Sequence, residues 1–307
     1  MSEDTLAIDI GGTKIAAGLV RDGQVVATEI CPTPSQEGRE AILDAAAKLA
    51  LSVKRSSGSK SDLLGVASAG VIDQRGRVIY ATDSLKDWLG TDINSGLAAK
   101  TGLQTVSLND VHAHAWGEYL FGGGRGYQNL ILLAVGTGLG AGLILDGSLL
   151  RGANGVAGHL GHIDIAGLPP HPCSCGKSGH AEAVSSGAGM QRCFYRSTGV
   201  NLSGSQIAAA ASHADNEYHQ QAKATVRNAG YALGRAIACM LNVVNPELVI
   251  LTGSVTRAGR VLGESLQEGL KASAIDLVAE TPVVLGELEN AALVGAAAWA
   301  RRETNER

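Results

Sequence analysis

The chain has 307 residues, 45% of them hydrophobic and 18% charged, with a formal net charge of −4. That size and composition give one large or two moderate globular domains with real cores and exclude a disordered polypeptide. The lack of any basic tract argues against nucleic acid as a partner, no apolar run is long enough to span a membrane, and the acidic start Met1-Ser2-Glu3-Asp4, without an apolar leader, predicts a cytoplasmic protein.

In chain order, Thr5 to Ile10 reads as a strand, Gly11-Gly12-Thr13-Lys14 as a turn and Ile15 to Val20 as a second strand. Arg21-Asp22-Gly23-Gln24 is a hairpin signal leading to a third strand, Val25 to Cys31. Glu37 to Lys54 has helical periodicity, Leu63 to Ala67 is a strand ending at Ser68-Ala69-Gly70, and Thr105 to Leu108 is another. Asn109-Asp110 then precedes a helix from Val111 to Phe121, and a flexible break follows at Gly122-Gly123-Gly124-Arg125-Gly126. The opening pattern now returns. A strand, Leu130 to Val135, meets the turn Gly136-Thr137-Gly138-Leu139-Gly140, a strand from Ala141 to Leu145 and a second Asp-Gly hairpin at Asp146-Gly147. A repeat of strand, Gly-Thr turn, strand and Asp-Gly turn predicts two related α/β halves. Helices are expected over Ser205 to Ser212, Glu217 to Met240, Arg260 to Ala272 and Ala291 to Arg302, and strands over Leu248 to Leu251 and Pro282 to Leu285.

Five places carry chemistry. Asp9 to Lys14 puts a carboxylate, a glycine turn, a hydroxyl and an ammonium within six residues. Such a turn lets the backbone approach a polyphosphate, with Lys14 neutralising it and Asp9 holding Mg²⁺ through water; a plain hairpin turn explains the same residues. The echo at Gly136-Thr137-Gly138 favours phosphate, because two such turns can clamp one nucleotide. Asn109-Asp110 lies at a strand end, where ligands collect in α/β sheets and where a carboxylate can take a proton from a hydroxyl. Asn and Asp are equally good helix caps, so the position alone leaves both roles open. Thr252-Gly253-Ser254, after an apolar strand, could approach an adenosine or be an ordinary loop. His112 and His114, two apart on one helix, do not share a face and read as structural.

The richest stretch is Gly158-His159-Leu160-Gly161-His162 followed by Cys173-Ser174-Cys175-Gly176-Lys177-Ser178-Gly179-His180-Ala181-Glu182. His162, Cys173, Cys175 and His180 form a four-ligand N/S set of the kind a structural zinc takes, with His159 and Glu182 left over as polar groups. Buried free thiols are the alternative. A disulfide is less favoured, since the cysteine count of five is odd and no secretory signal is visible.

Together these motifs resemble the ROK family of bacterial sugar kinases and repressors, within the actin/hexokinase superfamily, over nearly the whole chain. Asp9 to Lys14 and Val135 to Gly142 match its two phosphate motifs, Asn109-Asp110 its catalytic pair, and Ala157 to His162 with Cys173 to Glu182 its sugar and zinc signature. The resemblance implies an α/β fold of two actin-like, ribonuclease H-like domains with an interdomain cleft. The domains would be residues 1–115 with the returning helix 291–307, and 116–290 with a zinc segment at 162–180. It implies Asp110 as the base for a sugar 6-hydroxyl, with Asn109, Gly70, His159, His162 and Glu182 around the sugar. Asp9, Gly11, Gly12, Thr13, Lys14, Gly136, Thr137 and Gly138 would handle Mg²⁺ and the ATP phosphates, Gly253 would lie near adenosine, and His162, Cys173, Cys175 and His180 would hold zinc. A homodimer is the usual assembly. With the phosphate motif beginning at Asp9, a kinase without the repressors' helix-turn-helix is expected.

Three departures from the family pattern stand out. His159 replaces a glutamate usual in glucose- and N-acetylglucosamine-type members, and Ala157-Gly158-His159-Leu160-Gly161-His162 resembles the bacterial N-acetylmannosamine kinases instead. His180 replaces a third zinc cysteine. Ser84 stands four residues before Trp88, where the family often has Asn. The expected reaction is therefore ATP-dependent 6-phosphorylation of N-acetyl-D-mannosamine, as in sialic acid breakdown. Glucokinase, N-acetylglucosamine kinase and fructokinase are the enzyme alternatives, and a non-catalytic sugar-sensing regulator is the alternative of another class.

Overall fold

Asp-Gly turns set both sheets going. The computed structural model describes residues 4–168 and 170–305; Met1–Glu3 of the acidic N-terminus, Pro169, Glu306 and Arg307 lie outside them. The chain opens with strands β1 (Thr5–Ile10), β2 (Lys14–Arg21) and β3 (Gln24–Pro32), helix α1 (Arg39–Ser56), strands β4 (Leu63–Ser68), β5 (Val71–Ile72) and β6 (Val78–Tyr80), helix α2 (Ile93–Thr101), strand β7 (Gln104–Asn109) and helix α3 (Asp110–Phe121). Strands β8 (Leu130–Val135), β9 (Leu139–Leu145) and β10 (Ser148–Leu150) follow, then a 3-10 turn at Leu160–His162 and helices α4 (Glu182–Ser185), α5 (Gly187–Thr198), α6 (Gly204–Ser212) and α7 (His219–Val244). Strand β11 (Leu248–Thr252), helices α8 (Arg260–Lys271) and α9 (Asp276–Ala279), strand β12 (Val283–Leu285) and helix α10 (Ala291–Asn305) complete it.

The two main sheets run β3-β2-β1-β4-β7 and β10-β9-β8-β11-β12, the same order of elements used twice. In the first, β1 and β2 pair antiparallel while β1, β4 and β7 run parallel. In the second, β8, β11 and β12 run parallel and β9 pairs antiparallel with β10. Asp22 and Gly23 have φ of 49° and 78°, and Asp146 and Gly147 have 49° and 69°. Two successive positive φ values make the tight hairpin whose twist suits the flanking strands, which is why Asp-Gly recurs there. Strand β1 is buried almost throughout because α1 and α10 both pack on it.

The described residues of Met1–Tyr127, Gly142–Ala157 and Glu287–Arg307 form one compact unit, and Gln128–Ala141 with Gly158–Gly286 form another. The chain first leaves the opening unit after Tyr127, beyond the end of α3 at Phe121 and the glycine break that follows it. Helix α10 packs on α3, β4 and β1. Its crossing with α3 is close because Gly117 and Gly295 put backbone against backbone; a Cβ on either would enter the other helix. Sequence patterning missed α2, the small β5–β6 sheet, β10, α4, α5 and α9. Among the described residues no helix is long and apolar enough to cross a membrane.

Beside that crossing, Trp116 and Trp299 meet edge to face with centroids 5.7 Å apart, and the Arg302 guanidinium lies 5.1 Å and 5.3 Å from the two rings. Both indoles are almost wholly buried. Trp299→Ala is expected to cost about 3–5 kcal/mol, the usual loss for a buried tryptophan. Denaturant unfolding followed by circular dichroism reads this directly, and a midpoint equal to the parent's would contradict the role given to α10.

Candidate functional site

In the first unit, the parallel strands β1, β4 and β7 end side by side at Ile10, Ser68 and Asn109, with Asp9 one residue before the end of β1. Asn109 caps α3: its Oδ1 accepts from the amides of Val111 and His112 at 3.0 and 3.1 Å. Its Nδ2 donates to Asp110 Oδ1 at 2.8 Å and to the Gly70 carbonyl at 2.9 Å, which commits both amide hydrogens. Asp110 Oδ1 also accepts from the Val111 amide at 2.9 Å. The cap role and the placing of Asp110 are therefore one arrangement. Asp110 is pushed up to about 6 by lost hydration, opposed by these hydrogen bonds. Asp9 is pushed up to about 7, first by lost hydration and then by repulsion from Asp110, with Lys14 pulling the other way.

The first glycine turn is closed by Gly11 N–H to the Lys14 carbonyl at 3.1 Å and braced by Thr33, whose hydroxyl donates to the Gly11 carbonyl at 2.7 Å. Thr13 and Lys14 are exposed at its tip. Ser84 lies against Gly12, and Trp88 is buried with its indole N–H on the Ala69 carbonyl at 3.2 Å. His112 bonds the Ala157 carbonyl at 2.8 Å, and His114 is held near 4, hence neutral, by burial.

In the second unit the glycine turn is tighter: Gly136 N–H donates to the Gly138 carbonyl at 3.0 Å, and β9 starts directly at Leu139, two residues earlier than the sequence pattern suggested. Gly253, with φ 99°, passes so close to Val135 that only glycine fits. The N-terminus of α5 meets the same turn, with the amides of Gly187 and Ala188 on the carbonyls of Gly136 and Thr137 at 2.8 and 3.3 Å. Gly253 thus sits beside the start of the turn Gly136-Thr137-Gly138. Helix α5 was not read from the sequence, although Ser186, whose hydroxyl accepts from the Gly189 amide at 3.0 Å, is a good cap signal.

His162, Cys173, Cys175 and His180 converge, their ligand atoms all within 4.8 Å of one another. Cys173 Sγ is 3.5 Å from His162 Nδ1 and Cys175 Sγ is 3.3 Å from His180 Nδ1. In a tetrahedral site with Zn–S about 2.3 Å and Zn–N about 2.0–2.1 Å, neighbouring N and S atoms lie about 3.6 Å apart. The donor set and spacing fit a closed zinc site. His159 leads into the 3-10 turn that ends at His162, the two rings nearly parallel with centroids 6.0 Å apart. Glu182 is buried: Oε2 accepts from the Leu139 amide at 3.0 Å and Oε1 from the Ser174 hydroxyl at 2.5 Å. Ser174 escaped the sequence reading, although a hydroxyl between two ligand cysteines was the available signal.

The electrostatics of the first unit predict its pH response. Asp9 and Asp110 have folded pKa values above their unfolded ones, so their contribution is fully present below about pH 4 and is lost as pH rises through about 6 to 7. Asp9→Asn is expected to stabilise the ligand-free protein by about 1–4 kcal/mol at about pH 8 and far less at about pH 5. Urea unfolding at the two pH values measures it, and an equal effect at both would contradict the burial of charge at Asp9.

Known proteins match this architecture. The family model described as "ROK family" matches residues 5–303. A glucokinase of Thermotoga maritima is 32% identical over 274 residues, covering 86% of each chain. An N-acetylmannosamine kinase of Salmonella arizonae is 31% identical over 304 residues, 98% of this chain and 99% of that one. The crystal structure of a ROK family glucokinase from Streptomyces griseus in complex with glucose and AMPPNP superposes with a TM-score of 0.83 at 30% identity, over 98% of this chain and all of the other. With its family motifs, its repeated sheets and a match along almost its full length, the chain belongs to the ROK family.

Proposed function

We propose that the protein is an ATP-dependent hexose 6-kinase acting on N-acetyl-D-mannosamine. The observation that carries the kinase reading is Asp110: a carboxylate held by Asn109 at the start of α3, with its proton affinity raised to about 6. Such a group is ionised at neutral pH yet basic enough to take the proton of a sugar 6-hydroxyl as the γ-phosphoryl is transferred. Phosphoryl transfer asks the protein mainly for alignment and charge neutralisation. Asp9 and Lys14 serve the metal and phosphates from the first glycine turn. Gly136, Thr137 and Gly138 offer the second, with Gly253 beside them for the adenosine. Kinase relatives, one of them solved with AMPPNP, support ATP as donor.

His162, Cys173, Cys175 and His180 would hold zinc in a site with no open position, where the metal supplies a cross-link and no chemistry. Its service is to fix the turn that presents His159. A neutral imidazole can both donate and accept, where a carboxylate only accepts, so His159 would read the substituent at the sugar's second carbon differently from glutamate. That supports N-acetylmannosamine over glucose, and the similarity to N-acetylmannosamine kinases along nearly the whole chain agrees. The similarity to glucokinases keeps glucose as the second reading.

Two variants test this. Asp110→Asn is expected to lower kcat by about 10²–10⁴ while sugar binding persists by calorimetry. In the parent, kcat/KM should rise with pH to a plateau with a midpoint near 6, since the base must be ionised. Turnover retained in the variant would remove Asp110 from the chemistry. His159→Glu should shift the kcat/KM ratio toward glucose or N-acetylglucosamine, and an unchanged sugar profile would place specificity elsewhere.

A further inference from the structure

The metal-ligand segment and the second glycine turn are joined by one side chain. Cys173 and Cys175 flank Ser174 at the tip of a short hairpin, closed by Cys173 N–H to the Lys177 carbonyl at 2.7 Å and Gly176 N–H to the Cys173 carbonyl at 3.1 Å. Ser174 itself is exposed on its outer side, but its hydroxyl donates inward to Glu182 Oε1 at 2.5 Å. The other oxygen of that carboxylate receives the amide of Leu139, the residue after Gly136-Thr137-Gly138, at 3.0 Å. Gly138 leaves the room this needs, since a Cβ there would stand 2.9 Å from Glu182 Oε2. The main chain of Glu182 is tied to the same place. Its carbonyl accepts from the Ser186 hydroxyl at 2.8 Å, and the next residue, Gly187, donates to the Gly136 carbonyl at 2.8 Å.

We propose that Ser174 is a positioning residue that transmits the clamped geometry of the Cys/His centre, through Glu182, to the second glycine turn. This rests on the reading of that turn as a nucleotide phosphate site. A hairpin of this length, closed by those two bonds and at its base by Gly179 N–H to the His171 carbonyl at 3.1 Å, has little of its own to hold the exposed tip at Ser174 in place. Four ligands drawn to one metal supply the rigidity. With the tip fixed, Ser174 satisfies one oxygen of a buried carboxylate and leaves the other aimed at the Leu139 amide, which sets where β9 leaves the turn. With the tip loose, the carboxylate loses one donor and must find another by moving, and Gly138 offers nothing to stop it. The Cys/His centre therefore conditions nucleotide affinity as well as the loop that carries His159.

The test is the affinity for Mg·ADP without sugar, by calorimetry, in the zinc-loaded and chelator-treated parent, Ser174→Ala and Ser174→Thr, with zinc content measured on each. In the parent, chelation should weaken Mg·ADP by about tenfold, the scale of one lost hydrogen bond to a charged group. Zinc-loaded Ser174→Ala should already be weakened to a similar degree and respond little to chelation. Ser174→Thr, which keeps the hydroxyl, should bind as the parent does. The relay is overturned if zinc-loaded Ser174→Ala binds Mg·ADP like the parent, if chelation weakens both equally, or if the alanine variant has simply lost its zinc. A parent that binds Mg·ADP but ignores Ser174 leaves the nucleotide turn standing; a parent that binds no Mg·ADP removes the turn's role and the relay with it.

Discussion

The placement of Asp110 rests on a cost that the fold accepts, a carboxylate whose ionisation is opposed by lost hydration and whose charge in turn opposes that of a second carboxylate, Asp9. Parallel pairing of β1, β4 and β7 brings these strand ends together, and nothing in local sequence around either residue would do so. Asn109 makes the arrangement tolerable. By accepting two amides and donating to Asp110 and Gly70, it holds the Asp110 carboxylate in one orientation without itself carrying charge. Preorganisation of this kind is what phosphoryl transfer asks of a protein.

The second unit solves a different problem with the same sheet order. Its glycine turn is backed by a helix start and a buried glutamate where the first turn is braced by a threonine hydroxyl. The asymmetry extends to the turns' own chemistry, one bearing the charged side chains Asp9 and Lys14 and the other made of backbone and the Thr137 hydroxyl. It also explains why the Cys/His segment belongs to the second unit. Both ends of that segment meet Leu139: Gly161, next to His162, packs on its backbone, and Glu182 accepts from its amide.

Much of this was legible in the sequence, for physical reasons. The central strands β1, β4, β8 and β11 are largely apolar runs that end at glycine turns, and the Asp-Gly hairpins have local chemistry that suits their two positive φ values. The Cys/His set was legible because ligand spacing is short-range. What stayed hidden depends on tertiary contact. Helix α5 begins with glycines that weaken its propensity, and its start is held by carbonyls from Gly136 and Thr137. Helix α2 has little amphipathic pattern of its own, and Ser174 reads as filler until Glu182 is placed beside it.

The most direct measurement is the initial rate of ADP release with Mg·ATP and, in turn, N-acetylmannosamine, N-acetylglucosamine, glucose and fructose. The account predicts turnover with the highest kcat/KM on N-acetylmannosamine. A higher value on glucose would leave the kinase and contradict the role given to His159. Sugar binding with no turnover on any of the four would contradict the catalytic role of Asp110 and make the protein a sugar-sensing regulator.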